Sequence, residues 1–217
     1  MDSSKKWRCI YSRSTNQERG APPDSSVGGY NETTPLIQAV VSGSLPTISI
    51  LVSNKANINK PSNDLASPLY YSLGYGGQQV EPSIVKFLVS KGADVSQPMN
   101  DGDTPMHMAG YKACIGGMKL LLSQGAEIHA VNMNGKTPLH VLLEKKDINI
   151  EQKLSAVKYL LCKSASPTLK DSEEHDAIYL VQNNFPEALP FLEHPETLPT
   201  LEELEASIVG LTQDFEL

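Results

Sequence analysis

Five histidines and three cysteines are the residues of this 217-residue chain best suited to catalysis or metal binding. Such groups do chemistry only when a nucleophile, base or ligand stands within reach of its partners. His107 and His140 stand at equivalent places 33 residues apart, His129 follows Glu127-Ile128, and His175 and His194 are solitary in acidic segments. None has the neighbours that metal-ligand spacing requires. Cys9, Cys114 and Cys162 are odd in number and far apart, which fits neither a disulfide framework nor a paired-thiolate zinc site and points to a reducing compartment. Cys114 and Cys162 are expected to behave as small buried hydrophobes. Gly74-Tyr75-Gly76-Gly77 lacks the Lys-Ser/Thr that completes a phosphate-cradling loop. No catalytic, cofactor or metal site is expected.

Composition narrows the classes further. With 40% hydrophobic and 20% charged residues, the chain can bury a sizeable core. Its greasiest run, Leu36 to Leu51, is broken by Gly43 and Pro46, so no membrane helix is expected. Lys5, Lys6 and Arg8 have no apolar block after them, unlike a secretory signal peptide. A cytoplasmic setting is expected. The net charge of −7 is unevenly placed, because residues 171–217 carry twelve acids and no Lys or Arg. Bases are never clustered enough for a nucleic-acid face, which depends on counterion release from many phosphates.

The elements that must position any functional residue emerge from internal repetition. Thr34-Pro35-Leu36, Ser67-Pro68-Leu69, Thr104-Pro105-Met106 and Thr137-Pro138-Leu139 recur at intervals of 33, 37 and 33 residues. A second marker stays in phase: 50–58, 87–95 and 120–128 superpose without gaps, and Tyr159 to Ala165 begins a fourth copy. In each opening the hydroxyl can cap a helix, and proline is tolerated at the first helical position because its missing N–H would have no intrahelical partner. Apolar residues then return at helical spacing, as in Met106, Ala109 and Leu139, Leu142, with Val85, Leu88 and Met118, Leu121 lining second helices. One apolar face per helix needs a neighbour, and stacking supplies it. Gly92 and Gly125 fall where the second helix must stop in a left-handed conformation. Extra residues, Gly76 to Ser83 and Lys145 to Gln152, are expected to lie in loops.

On these residues the chain resembles the ankyrin-repeat family, whose unit opens Thr-Pro-Leu-His-x-Ala and ends near Gly-Ala-Asp-Val. The likeness is best in Asp101 to Ala109 and Asn134 to His140, whereas Ile37 and Tyr70 replace the histidine, Lys55 replaces the helix-ending glycine, and Leu65 stands where Gly102 and Gly135 stand. The resemblance implies an all-α ankyrin-repeat solenoid of four repeats plus a degenerate capping repeat and a C-terminal helix. The units fall near 31–63, 64–100, 101–133 and 134–172, with the degenerate one at 173–192. It also implies that His107 and His140 hydrogen-bond within and between units. At the finger position shared by Asn59, Ser96 and His129, it makes Asn59 a candidate for hydroxylation by an asparaginyl hydroxylase.

The two ends differ in character. Residues 1–30 are rich in Ser, Asn, Gly and Pro without apolar period, and are expected to be disordered or irregular, with Lys5-Lys6-Trp7-Arg8 as a candidate linear motif. Residues 193–217 form an acidic tail with an amphipathic helix of about ten residues, started by a Thr200/Glu203 capping box. Leu201, Leu204, Ile208 and Leu211 give it an apolar stripe suited to packing over the last repeat. The acidic block of Glu202, Glu203 and Glu205 resembles the translocation signal of type IV secreted bacterial effectors, which implies work inside host cytoplasm.

The family implies a protein partner, gripped by finger loops and the exposed side of the first helices, with no nucleic acid, no membrane and a monomeric chain. By phase, the helix positions facing that groove are Val41 and Ser42, Gly74 and Tyr75, Tyr111 and Lys112, and Glu144 and Lys145. The finger positions are Asn63, Asp64 and Ala66, then Met99, Asn100, Asp101 and Asp103, then Val131, Met133, Asn134 and Lys136. The partner-binding candidates are Tyr75, Met99, Asp101, Asp103, Tyr111, Lys112, Val131, Met133, Lys136 and Glu144. Tyr75, Tyr111, Met99 and Met133 carry most weight, because aromatic and flexible apolar side chains in solvent anchor partners. Two other readings stay open: an adaptor bridging two host factors through groove and N-terminal segment, and an enzyme or enzyme subunit with active residues in the insertions or tail.

Overall fold

Thr34, Ser67, Thr104 and Thr137 each begin a helix in the computed structural model, which describes Asp24 and residues 32–215. The Thr34 hydroxyl accepts from the Ile37 N–H at 3.1 Å, and Ser67 accepts from Tyr70 at the same distance. Five helical pairs follow one another. They are α1 (Pro35–Val41) with α2 (Leu45–Ser53), α3 (Pro68–Ser72) with α4 (Pro82–Ser90), α5 (Pro105–Tyr111) with α6 (Ile115–Ser123), α7 (Pro138–Glu144) with α8 (Ile150–Cys162), and α9 (Ala177–Asn184) with α10 (Leu189–Glu193). Asp176 caps α9 in place of a hydroxyl, accepting from Tyr179 N–H at 2.9 Å.

First helices pack in series, α1 on α3, α3 on α5, α5 on α7 and α7 on α9, and second helices do likewise from α4 to α8. The core is the seam between them: Met106, Ala109, Val85, Leu88, Met118, Leu121 and Leu142 are wholly buried. Between pairs project hairpin fingers of one repeated geometry. Within them Met99 N–H bonds to Asp103 O, Asn132 to Lys136 and Asp171 to His175; from finger to finger Asn100 donates to Asp64 O, Met133 to Asp101 O and Ser172 to Asn134 O. The two missing glycines do not change the path. Lys55 (φ 66°) and Leu65 (φ 59°) enter the left-handed region that Gly92 and Gly102 occupy at 85°.

Buried histidines lock successive units. His107 Nδ1 accepts from Thr104 N–H at 3.1 Å while Nε2 lies 2.9 Å from Lys136 O, and His140 repeats the pattern with Thr137 N–H and His175 O. These contacts match what the family resemblance implies.

Several expectations need correction. The insertion Lys145 to Gln152 is only partly a loop, because α8 begins at Ile150 and runs 13 residues against 9 in α2, α4 and α6. Lys153 explains the gain: its buried ammonium donates to Leu143 O at 2.9 Å and Lys145 O at 2.6 Å, satisfying carbonyls where α7 ends. Cys114 and Cys162 are half-buried rather than core; Cys114 Sγ accepts from Gly117 N–H at the start of α6, and the Cys162 thiol reaches Pro199 O. Ala66 is fully buried, not a groove residue. The C-terminal helix breaks at Ile208 into α11 (Leu201–Ser207) and α12 (Val209–Thr212), followed by a 3-10 turn at Gln213–Phe215. That tail does not seal the last repeat. It runs back along the second helices, α11 on α8, α12 on α6 and the final turn on α4 and α6. The basic motif at Lys5 to Arg8 lies outside the described residues. Among the described residues, no helix is long and apolar enough to cross a membrane.

Candidate partner-binding site

The two insertions flank the third unit on one side, and between them opens a cleft of about 900 Å³. One wall is the 3-10 turn Tyr75–Gly77 with Gln78 to Val80, the other is Lys145 with Asp147 to Asn149 and Gln152, and α5 with the Ala113–Ile115 turn forms the floor. Lys112 ties floor to wall by donating to Gln78 O at 3.1 Å. Gln152 reaches the carbonyls of Lys112 and Ala113 from the opposite wall.

Tyrosines dominate one end. Tyr75 meets Tyr70 and Tyr71 edge-on, with ring centroids 5.2 and 5.1 Å away, and its hydroxyl donates to Asp64 at 3.4 Å. Burial, reinforced by Asp64, pushes the Tyr75 phenol above its ordinary range. Tyr70 is 1% exposed, and burial plus the carboxylates of Asp103 and Asp101 drives its phenol far upward, so it stays neutral. Across the cleft Lys145 donates to the Tyr111 hydroxyl at 3.0 Å and lies 4.6 Å from the ring centroid. This hydrogen bond is the main reason that the ammonium is held above its usual range.

Asp103 and Asp101 mark the finger end. Burial raises the Asp103 carboxyl, against the hydrogen bond that Asn132 donates to its Oδ1 at 2.8 Å. Asp101 Oδ1 accepts from the Asp103 N–H at 3.0 Å. A shallower hollow adjoins, where Asp101, Asp103 and Tyr111 meet Lys136 and Glu144, themselves paired at 2.6 Å. Burial pushes the Cys114 thiol, in the cleft floor, up to about 11, which removes it as a nucleophile near neutral pH.

Six of the ten candidates, Tyr75, Met99, Asp101, Asp103, Tyr111 and Lys112, line the cleft, and Lys136 and Glu144 line the adjoining hollow. Val131 and Met133 line neither and stand on a finger, 59% and 75% exposed. Tyr75 and Met99 are not free in solvent, since both pack against the core. Apart from Lys145, which phase places in the groove, the insertion residues went unselected because their phase is lost where the repeat is broken. Tyr70 went unselected because it stands at the histidine position, which reads as core. Asn59 bridges units, its Oδ1 accepting from Asp94 N–H at 2.8 Å, as His129 Nε2 accepts from Ser166 N–H in a later unit. In the tail, Glu202 and Glu203 are exposed, Glu203 closes the capping box on Thr200, and Glu205 lies 3.9 Å from Lys119.

Stacked helix pairs joined by hydrogen-bonded fingers, with a walled cleft on one side, define an all-α repeat solenoid. The family described as ankyrin repeats, in three copies, matches residues 14–99 and 78–171, together more than half of the chain, and the chain belongs to that family. Arrays of this kind are protein-interaction modules, typically without enzymatic activity. A search of curated proteins returns no match.

Proposed function

We propose that this chain is a non-enzymatic recognition module that holds a polypeptide partner in the cleft bounded by its two insertions, acting by occlusion or recruitment. One observation carries the reading: insertions in the second and fourth units converge on the same side of the third and turn an open groove into a walled trough. Loop insertions projecting from a rigid scaffold are where binding residues concentrate.

Tyr111 is the discriminating residue, because it is 39% exposed and its ring contacts Lys145 rather than the core. Affinity capture with wild-type chain and a Tyr111→Ala variant as baits, compared by mass spectrometry, tests the reading. The variant is expected to lose the principal interactor while keeping its melting temperature. Recovery of the same proteins by both baits would place the binding surface elsewhere.

A further inference from the structure

We propose that the cleft receives an arginine side chain carried on an extended polypeptide, and that Lys145 holds the arginine's place in the free chain. The inference rests on the reading of the cleft as a polypeptide site and names the chemistry it selects.

Tyr70 supplies the first reason. At its position in the third and fourth units a histidine closes a hydrogen bond to the next finger, His107 to Lys136 O and His140 to His175 O. The tyrosine makes no such bond: its hydroxyl has no hydrogen-bond partner among the described residues, although the residue is 1% exposed. It faces the cleft among Asp103, Asp101, Tyr75 and Tyr111. Tyr70 lines the cleft, so a donor carried in by a ligand can reach that oxygen.

The carboxylates point the same way. Asp101 and Asp103 each have one oxygen held, by the Asp103 N–H and by Asn132, and neither joins a salt bridge among the described residues. Lys136 acts on Asp103 electrostatically but is itself spent on Glu144. What is missing is a donor-rich cation. A guanidinium presents five N–H donors in a plane whose faces pack on aromatic rings. It therefore suits two carboxylates and a phenol oxygen flanked by Tyr75 and Tyr111 better than a compact ammonium does.

Lys145 shows that the cleft already accepts a cation. Its ammonium rests on the Tyr111 ring, donates to that residue's hydroxyl and, among the described residues, pairs with one carboxylate, the exposed Asp147 at 3.7 Å. It sits at the edge of the loop that ends α7, where a partner's side chain can displace it. The trough, at about 900 Å³, is far larger than one side chain, which leaves room for the flanking residues of an extended segment.

The test uses the full chain and fluorescein-labelled hexapeptide pools whose fourth residue is fixed as arginine, citrulline or lysine, read by fluorescence anisotropy. Citrulline keeps the shape of arginine and removes its charge. The arginine pool is expected to bind about tenfold tighter than the citrulline pool, the scale of a hydrogen bond to a charged group. Tyr70→Phe, which deletes one oxygen without changing the fold's volume, narrows that ratio. Asp101→Asn with Asp103→Asn abolishes it, and Lys145→Met strengthens arginine-pool binding several-fold. Equal binding of arginine and citrulline pools, equal binding of arginine and lysine pools, or a ratio untouched by both Tyr70→Phe and the double asparagine variant would overturn the proposal. Pools bound without preference, and lost in Tyr111→Ala, overturn the arginine assignment while leaving a polypeptide cleft. No pool bound by a chain that still captures its partner through Tyr111 does the same.

Discussion

His107 has the most constrained chemistry in the array. Nδ1 accepts from Thr104 N–H, so Nε2 carries the proton and donates to Lys136 O; protonating Nδ1 would set a cation against that N–H. Burial accordingly depresses the imidazole below its ordinary 6.5. Since the unfolded chain then binds the extra proton first, stability is fully present above about 6.5 and declines as pH falls below that value towards the folded one. Asp103 faces the imidazole with a raised carboxyl and acts in the opposite sense, giving stability that fades as pH climbs from 3.8. Urea titrations of wild type and His107→Gln between pH 5.5 and 7.5 separate the two. The glutamine variant is expected to be less stable at pH 7.5 yet to show a shallower decline towards pH 5.5, and parallel curves would refute the assignment. Lys153, by contrast, had no legible role in the sequence: a lysine on a helix reads as solvated, and only the geometry of the broken unit turns its ammonium onto the carbonyls of Leu143 and Lys145.

Helix starts were legible because they depend on local chemistry: a hydroxyl followed by proline fixes a cap wherever it occurs. Helix ends were legible only where glycine marks them. Lys55 and Ser164, both at φ 66°, end their second helices in the same left-handed turn as Gly92 and Gly125, so the stack imposes a conformation that the local residue disfavours. That strain is stored in exposed turns and is releasable. Lys55→Gly is expected to raise stability by about 0.5–1 kcal/mol, the left-handed relief exceeding the entropy that glycine loses. Gly92→Ala, with nothing within 4 Å of an added Cβ, is expected to cost a similar amount through backbone conformation alone. Urea midpoints of the two variants moving in the same direction would contradict this account. The cleft was half legible for the same reason as the ends. Its floor and fingers follow from phase, whereas its walls are the insertions, where phase fails and tertiary packing decides.

The tail joins units that the repeat logic leaves independent. In a solenoid each unit touches only its neighbours, so stability propagates by nearest-neighbour terms. Here Leu204, Ile208 and Phe215 are buried, 3%, 2% and 8% exposed, against second helices from the fourth unit back to the second. Apolar burial of this kind amounts to about 1.5–3 kcal/mol per large side chain before ordering entropy is deducted. The seat of Phe215 is built from an absence: a Cβ on Gly116 would lie 2.3 Å from its ring. The sequence showed the stripe but not its dock, because Gly116-Gly117 in a helix reads as a weakness and only the strap reveals its use. Two substitutions with opposite intrinsic preferences isolate this contact. In the wild-type chain Gly116→Ala is expected to destabilise by unseating Phe215, despite alanine's advantage of up to about 1 kcal/mol in a helix. In a Phe215→Gly background the same change is expected to stabilise, because the ring and the Cβ that an added methyl would meet at 3.1 Å are both gone and helix propensity remains. Such a reversal of sign, read from urea midpoints as a double-mutant cycle, cannot arise from a tail that hangs free. Gly116→Ala acting identically in both backgrounds would detach Phe215 from α6 and return the array to neighbour-only cooperativity.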